Sequence, residues 1–247
     1  MSLWHIALPF ALALNACSAG SVAAHPQVHV AAASNLGRTL GTLARAFEAG
    51  TGIAVAPSLG ATAQLAAQIE NGAPFDVFLA ADTEHVDALL KSGAALADSR
   101  AIYARGRLAV WTAGRQTPAN PQQLSDARII AIAKPELAPY GAAAVESLHH
   151  LGLWENLQSR VVYAPSVSTA KQYADTGNAD AAFTALALVI AEPGHYFVID
   201  EGQHRPLDQA LCIVRRSAQP DLARKFATFL LGKEGRAILS RAGYGVL

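Results

Sequence analysis

Val28-His29-Val30-Ala31-Ala32-Ala33-Ser34-Asn35 carries an extended apolar segment into small residues and stops at two side chains bearing oxygen. Leu36, Leu40, Leu43 and Phe47 follow at spacings of four, three and four, the apolar stripe of an amphipathic helix. The stretch is therefore a strand feeding a helix, with Ser34 at or near the N-cap. The first turn of such a helix has free N–H groups that point beyond the strand end and can hold an anion without lysine or arginine. Taken alone, Ser34 reads more simply as a cap. The pattern gains meaning because it recurs.

Working outward, Ile53 to Val55 is a short strand, and Ser58-Leu-Gly-Ala-Thr62 leads into a helix carrying Leu65 and Ile69. Asp76 to Ala81 is a buried strand ending at small residues before Asp82 and Thr83. The second half repeats the alternation. Arg128 to Ala133 runs into a helix starting near Pro139-Tyr140, where proline is tolerated at the first helical position, and Val161 to Ala164 runs through Ser166-Val167-Ser168 into another. Ala179 to Thr184 is an apolar strand followed by a short helix cut off at Pro193-Gly194. Alternating strands and helices predict the α/β class, with mixed, mostly parallel sheets flanked by helices. Apolar runs near 105–111 and 207–214 read as two strands crossing between two lobes. The expected organisation is residues 25–105 plus 209–247 as lobe 1 and 106–208 as lobe 2, with a cleft between them.

The 247 residues are 52% hydrophobic and 15% charged, with 19 basic and 19 acidic side chains. That composition describes a globular chain with a substantial core. The zero formal net charge removes the electrostatic argument for nucleic acid or an anionic membrane as partner. Residues 1–24 read as an export signal: an apolar run from Ile6 to Ala16, too short to span a bilayer, followed by small residues. Cleavage after Ala24 and lipid attachment at Cys17 are both open, giving a periplasmic protein that is either soluble or lipid-anchored. Without that segment only Cys212 remains, so no internal disulfide framework exists, and Cys212 reads as a small buried hydrophobe.

In open α/β sheets, ligands collect beyond the carboxyl ends of strands. Four such junctions offer hydroxyls or bare amides: Ser34-Asn35, Thr62, Pro139-Tyr140 and Val167-Ser168. A fifth, Ala81, offers its backbone. None carries a lysine or arginine, which points to a dehydrated anion held by neutral donors and helix ends. Catalytic motifs are absent: no Gly-x-Ser-x-Gly elbow, phosphate loop, His-Glu-x-x-His or cysteine pair occurs. His149 and His150 are adjacent on a helix and point about 100° apart, which suits surface positions better than one metal. Tyr103, Tyr163 and Tyr173 fit packing better than a ferric site. No enzyme, cofactor or direct metal ligand is expected.

Three segments together resemble a known family: Ala31-Ala-Ala-Ser34-Asn35, Gln68-Ile-Glu-Asn-Gly-Ala-Pro74 with Asp76-Val-Phe-Leu-Ala-Ala81-Asp82, and Ala138-Pro-Tyr140-Gly-Ala-Ala. Their order and spacing, with Leu151-Gly-Leu-Trp154 and Arg241-Ala-Gly-Tyr244, are similar to the molybdate-binding proteins of bacterial ABC importers. The resemblance implies a two-lobed type II periplasmic binding fold that closes on molybdate or tungstate and delivers it, as a monomer, to a membrane permease. It further implies contacts from Ser34, Asn35, Thr62, the Ala81 amide, the Tyr140 hydroxyl or amide, and the Val167 amide. Two positions depart from the family pattern: Gly60-Ala61-Thr62 stands where serines are usual, and Ala185 stands where some members have tyrosine. A binder of another small oxyanion or an organic acid on the same fold is the alternative.

Overall fold

The computed structural model describes residues 26–114 and 120–246; the segment read as an export signal, with Cys17, lies outside them. β1 (Gln27–Ala33) is buried at Val28 and from Val30 onward. It passes through a 3-10 turn, Ser34–Leu36, into α1 (Gly37–Thr51), which buries Leu40, Leu43 and Phe47. α1 stops at Gly52, whose φ of +70° lies in the left-handed region that glycine adopts without steric cost. β2 (Ala54–Gly60), α2 (Thr62–Glu70), β3 (Val77–Leu79), α3 (Glu84–Lys91) and β4 (Ala101–Gly106) follow.

The chain then crosses to β5 (Leu108–Thr112), β6 (Ile130–Ala133), α4 (Pro139–His150), α5 (Trp154–Leu157) and β7 (Val161–Ala164). Next come α6 (Val167–Asp175), β8 (Ala181–Ala185), α7 (Leu186–Val189) and β9 (His195–Val198). It returns in β10 (Leu207–Ile213) and closes with α8 (Pro220–Leu231) and α9 (Lys233–Arg241). Among the described residues no helix is long and apolar enough to cross a membrane.

Two five-stranded sheets result, ordered β2-β1-β3-β10-β4 and β7-β6-β8-β5-β9. Each has two parallel and two antiparallel ladders, and the antiparallel ones come from β10 and β5, the strands on either side of the crossings. The two sheets thus share one topology, a two-lobed α/β architecture.

Register brings the helix tips together. β2 runs five residues beyond the Val55 end read from sequence, so Ala33 pairs with Gly60 and the turns at Ser34 and Thr62 start level with each other. Ala32 pairs with Leu79, which sets Ala81 beside them. In the second sheet Ala133 pairs with Ala164, which does the same for the starts of α4 and α6.

The lobes are packed shut. Ala33 and Ala81, at strand ends of the first sheet, belong to the apolar cluster built mainly around the second sheet. Ala187 of α7, which follows the second sheet's β8, packs in the first lobe's cluster with Leu36 and Leu40. Apolar surface at the facing ends is therefore removed from water by the contact itself.

Candidate functional site

Ser34 does not cap its helix. No side-chain bond closes that turn, and Ala33 enters it in an extended conformation. The Ser34 Oγ instead stands 3.5 Å from the backbone nitrogen of Ser168, at the start of α6 in the other lobe, a separation at which a hydrogen bond is weak. Its proton is free for another acceptor. Two stronger contacts flank this seam: Ala63 N–H donates to the Leu137 carbonyl at 3.1 Å, and Arg38 pairs with Glu192.

Thr62 likewise makes no cap bond. Its Oγ1 accepts the Ala81 N–H at 3.2 Å, so Ala81 acts on Thr62, and the Thr62 O–H remains able to donate elsewhere. The amide of Ala81 is thus committed to a neighbour and is not a free donor in this arrangement.

Asn35 is fully buried, and its side chain is spent within the protein. Nδ2 donates to Gln209 Oε1 and to Tyr244 Oη, both at 3.0 Å, which uses both amide protons. Tyr244 Oη returns a bond to the Asn35 carbonyl at 3.0 Å. Among the described residues Asn35 Oδ1 has no partner. What Asn35 can offer an anion is its backbone N–H.

Tyr140 is engaged through its oxygen alone. Its hydroxyl accepts from Gln209 Nε2 at 3.0 Å and lies over Gly106, where a Cβ would come within 2.1 Å of the oxygen. Of the two contacts open from the sequence, hydroxyl or amide, the amide is the group at the tip of α4. Pro139 opens that helix with no N–H, and no side chain caps it, so Tyr140 carries its first amide proton. Burial pushes the phenols of Tyr103, Tyr140 and Tyr244 above their usual range, so all three stay neutral.

At the start of α6 the two sequence candidates, Val167 and Ser168, separate from the cap. Ser166 is the cap, accepting Thr169 N–H at 3.2 Å. Val167 is the first helical residue and brings only an amide, and Ser168 faces Ser34.

Six positions therefore converge from two sheets: Ser34, Asn35, Thr62, Ala81, Tyr140 and Val167. All are at most 5% exposed, so the seam is closed to water. Two cations of the adjoining helices are engaged elsewhere: Arg38 by Glu192, and Lys171 by Asp175 at 2.7 Å while it lies 4.9 Å above the Trp111 ring. Among the described residues no cluster of three or more histidine, cysteine or carboxylate groups could hold a metal ion. A separate cavity of about 230 Å³ opens between Asp82, His85, Glu136, Glu146 and Arg205, and of the six positions only Ala81 reaches it.

Sequence reasoning missed Gln209 and the carbonyl of Leu137, and considered Tyr103 only as packing or a ferric ligand. A lone glutamine beside the apolar run Ala210 to Val214 was the available signal.

The fold and these converging neutral donors define a bacterial extracellular solute-binding protein, and the model of that family matches residues 28–245. The chain belongs to this family, that of the molybdate-binding ModA proteins. It is 33% identical to "Molybdate-binding protein ModA" of Azotobacter vinelandii, over 99% of this chain and 98% of the relative. It is 34% identical to the protein of the same name from Rhodobacter capsulatus, over 90% and 89%. The solved periplasmic molybdate-binding protein of Azotobacter vinelandii superposes with a TM-score of 0.85 at 36% identity, over 89% of this chain and 99% of that one. As a member of this family the chain is a solute receptor and not an enzyme.

Proposed function

We propose that this chain captures molybdate, and tungstate with it, in the periplasm and delivers it to the permease of an ABC importer. The observation that carries the reading is the closed seam of uncharged donors: hydroxyls at Ser34 and Thr62 and helix-start amides at Asn35, Tyr140 and Val167, with Arg38 and Lys171 paired elsewhere. Relatives that are 33–34% identical over nearly the whole chain carry the name of molybdate-binding proteins, which supports this choice among oxyanions.

A site of donors without acceptors suits a fully ionised tetrahedral oxyanion. A protonated oxygen, as on hydrogen phosphate, would bring a donor to meet donors. Sulfate is a smaller tetrahedron than molybdate, while tungstate is nearly the same size, so a rigid closed seam excludes the first and accepts the other two. Ala81 contributes by holding the Thr62 hydroxyl in place.

Residues 25–105 with 209–247 move as one body and residues 106–208 as the other, opening about the links near Gly106 and Leu207 to admit the ligand. The chain acts as a monomer, released by cleavage after Ala24 or held on the membrane through Cys17.

Calorimetric titration with molybdate, tungstate, sulfate and phosphate tests the reading. Tight binding of the first two and none of the others is expected. Sulfate bound as tightly as molybdate would refute it.

A further inference from the structure

We propose that Gln209 is the positioning residue of the oxyanion site: a single buried carboxamide ties the tip at Asn35 in one lobe to the tip at Tyr140 in the other. The inference rests on the molybdate reading of that site. Gln209 is fully buried on β10. Its Oε1 accepts from Asn35 Nδ2 at 3.0 Å and from Tyr103 Oη at 2.8 Å, and its Nε2 donates to Tyr140 Oη at 3.0 Å. Tyr103 Oη also lies 3.0 Å from the carbonyl of Ala80, the residue before Ala81.

A buried glutamine is most simply a polar group satisfied by whatever surrounds it. Here its partners are residues of the site or neighbours of one, and they come from both lobes. Two features of the fold make room for this arrangement. The register between β10 and β4 shifts between Gln209 and Ala210, an irregularity that re-aims a side chain. Gly106 on β4 has no side chain where a Cβ would fall 2.1 Å from Tyr140 Oη and 2.5 Å from Gln209 Nε2. In this closed arrangement α4 reaches β10 and the contact is made. Gln209 therefore favours the closed, binding-competent form and fixes the spacing of the donors without touching the ligand.

Gln209→Met keeps the shape and removes the bonds, and Tyr140→Phe removes the partner. Each single change weakens molybdate binding about tenfold or more, the scale of one buried hydrogen bond left unmade. In a double-mutant cycle the two losses do not add, because they delete one contact.

Gln209→Glu supplies a readout that a merely structural role would not move. The protonated carboxyl can accept and donate as the amide does. The ionised form cannot donate to Tyr140 and sets a negative charge near the anion. The titratable groups facing position 209 are the phenols of Tyr103 on β4, Tyr140 on α4 and Tyr244 after α9, all neutral through this range; Asp82 is the carboxylate that acts on Tyr103. Affinity of Gln209→Glu therefore falls at least tenfold from about pH 5.5 to about pH 8.5 while that of the wild type stays level.

Folded Gln209→Met that binds like the wild type, strictly additive losses in the cycle, or a level pH profile for Gln209→Glu each overturn the inference. If Gln209→Met does not fold, the pH profile decides. Wild type that binds molybdate beside unaffected variants refutes the role of Gln209 alone; wild type that binds no oxyanion refutes the functional reading and the inference with it.

Discussion

The hydroxyl oxygen of Ser34 stands 3.5 Å from the backbone nitrogen of Ser168, a residue 134 positions away on the facing lobe. Neither group is capped or saturated by a neighbour on its own lobe. A small acceptor between the lobes can recruit Ser34 and the α6 terminus together, and each binds better when the other is present. Closure and binding are then one event.

Ser34→Ala and Thr62→Ala should therefore each weaken molybdate binding by about tenfold to a hundredfold, with the double variant losing it altogether at micromolar ligand. Neither side chain caps its helix, so thermal unfolding without ligand should shift by only a few degrees. Calorimetric titration beside a thermal melt checks both halves. Unchanged affinity would show that the site lies elsewhere.

Gly141 sits in the first turn of α4, where an added Cβ would fall 2.1 Å from the carbonyl oxygen of Ala133 at the end of β6. Both sides of that contact are backbone, so Gly141→Ala must push the helix tip off the strand. A loss of about 1 to 3 kcal/mol in stability is expected, with weaker molybdate binding because Tyr140 moves with the turn. Chemical denaturation and titration report the two effects separately.

Asp76 is a buried carboxylate that accepts from His29 N–H at 2.7 Å and from Ser217 Oγ at 2.6 Å. It ties β1 to the start of β3 and to the loop after β10. Asp76→Ala leaves both donors without a partner and should cost about 2 to 4 kcal/mol, while Asp76→Asn keeps acceptor capacity and costs less. Urea unfolding of the pair measures the difference.

His85 lies on the wall of the 230 Å³ cavity, with its Nδ1 2.7 Å from Asp82 Oδ2. The hydrogen bond to Asp82 raises its pKa above the usual histidine value, against an opposing effect of burial and with help from Glu84 and Glu70. A raised value in the folded state means that the protonated pair stabilises fully below the ordinary pKa of about 6.5 and loses that effect as pH rises through the folded value. His85→Gln should lower the melting temperature at about pH 5.5 and change it little at about pH 8.5. Equal losses at both would show that the pair carries no charge.

Burial pushes the Cys212 thiol up to about 12. It should resist alkylation by iodoacetamide in the native protein and react on denaturation, which mass spectrometry detects directly.

Sequence alone determined the strand-to-helix junctions and the class of fold. Periodicity and helix-end chemistry are local: the stripe Leu36, Leu40, Leu43, Phe47 and the small residues before it depend on a few neighbours. The absence of lysine or arginine at the tips was legible for the same reason. Tertiary structure decided which atom of each residue is left to act. The Asn35 side chain and the Tyr140 hydroxyl carry polar atoms that sequence cannot allocate, and Gln209, from a strand 174 residues beyond Asn35, accepts from the first and donates to the second. Register decided the rest: the pairing of Ala33 with Gly60 sets two junctions level, and closure places Ser34 opposite Ser168. These are long-range pairings, fixed by packing and by the need to satisfy every buried polar group, and no window of sequence contains both partners.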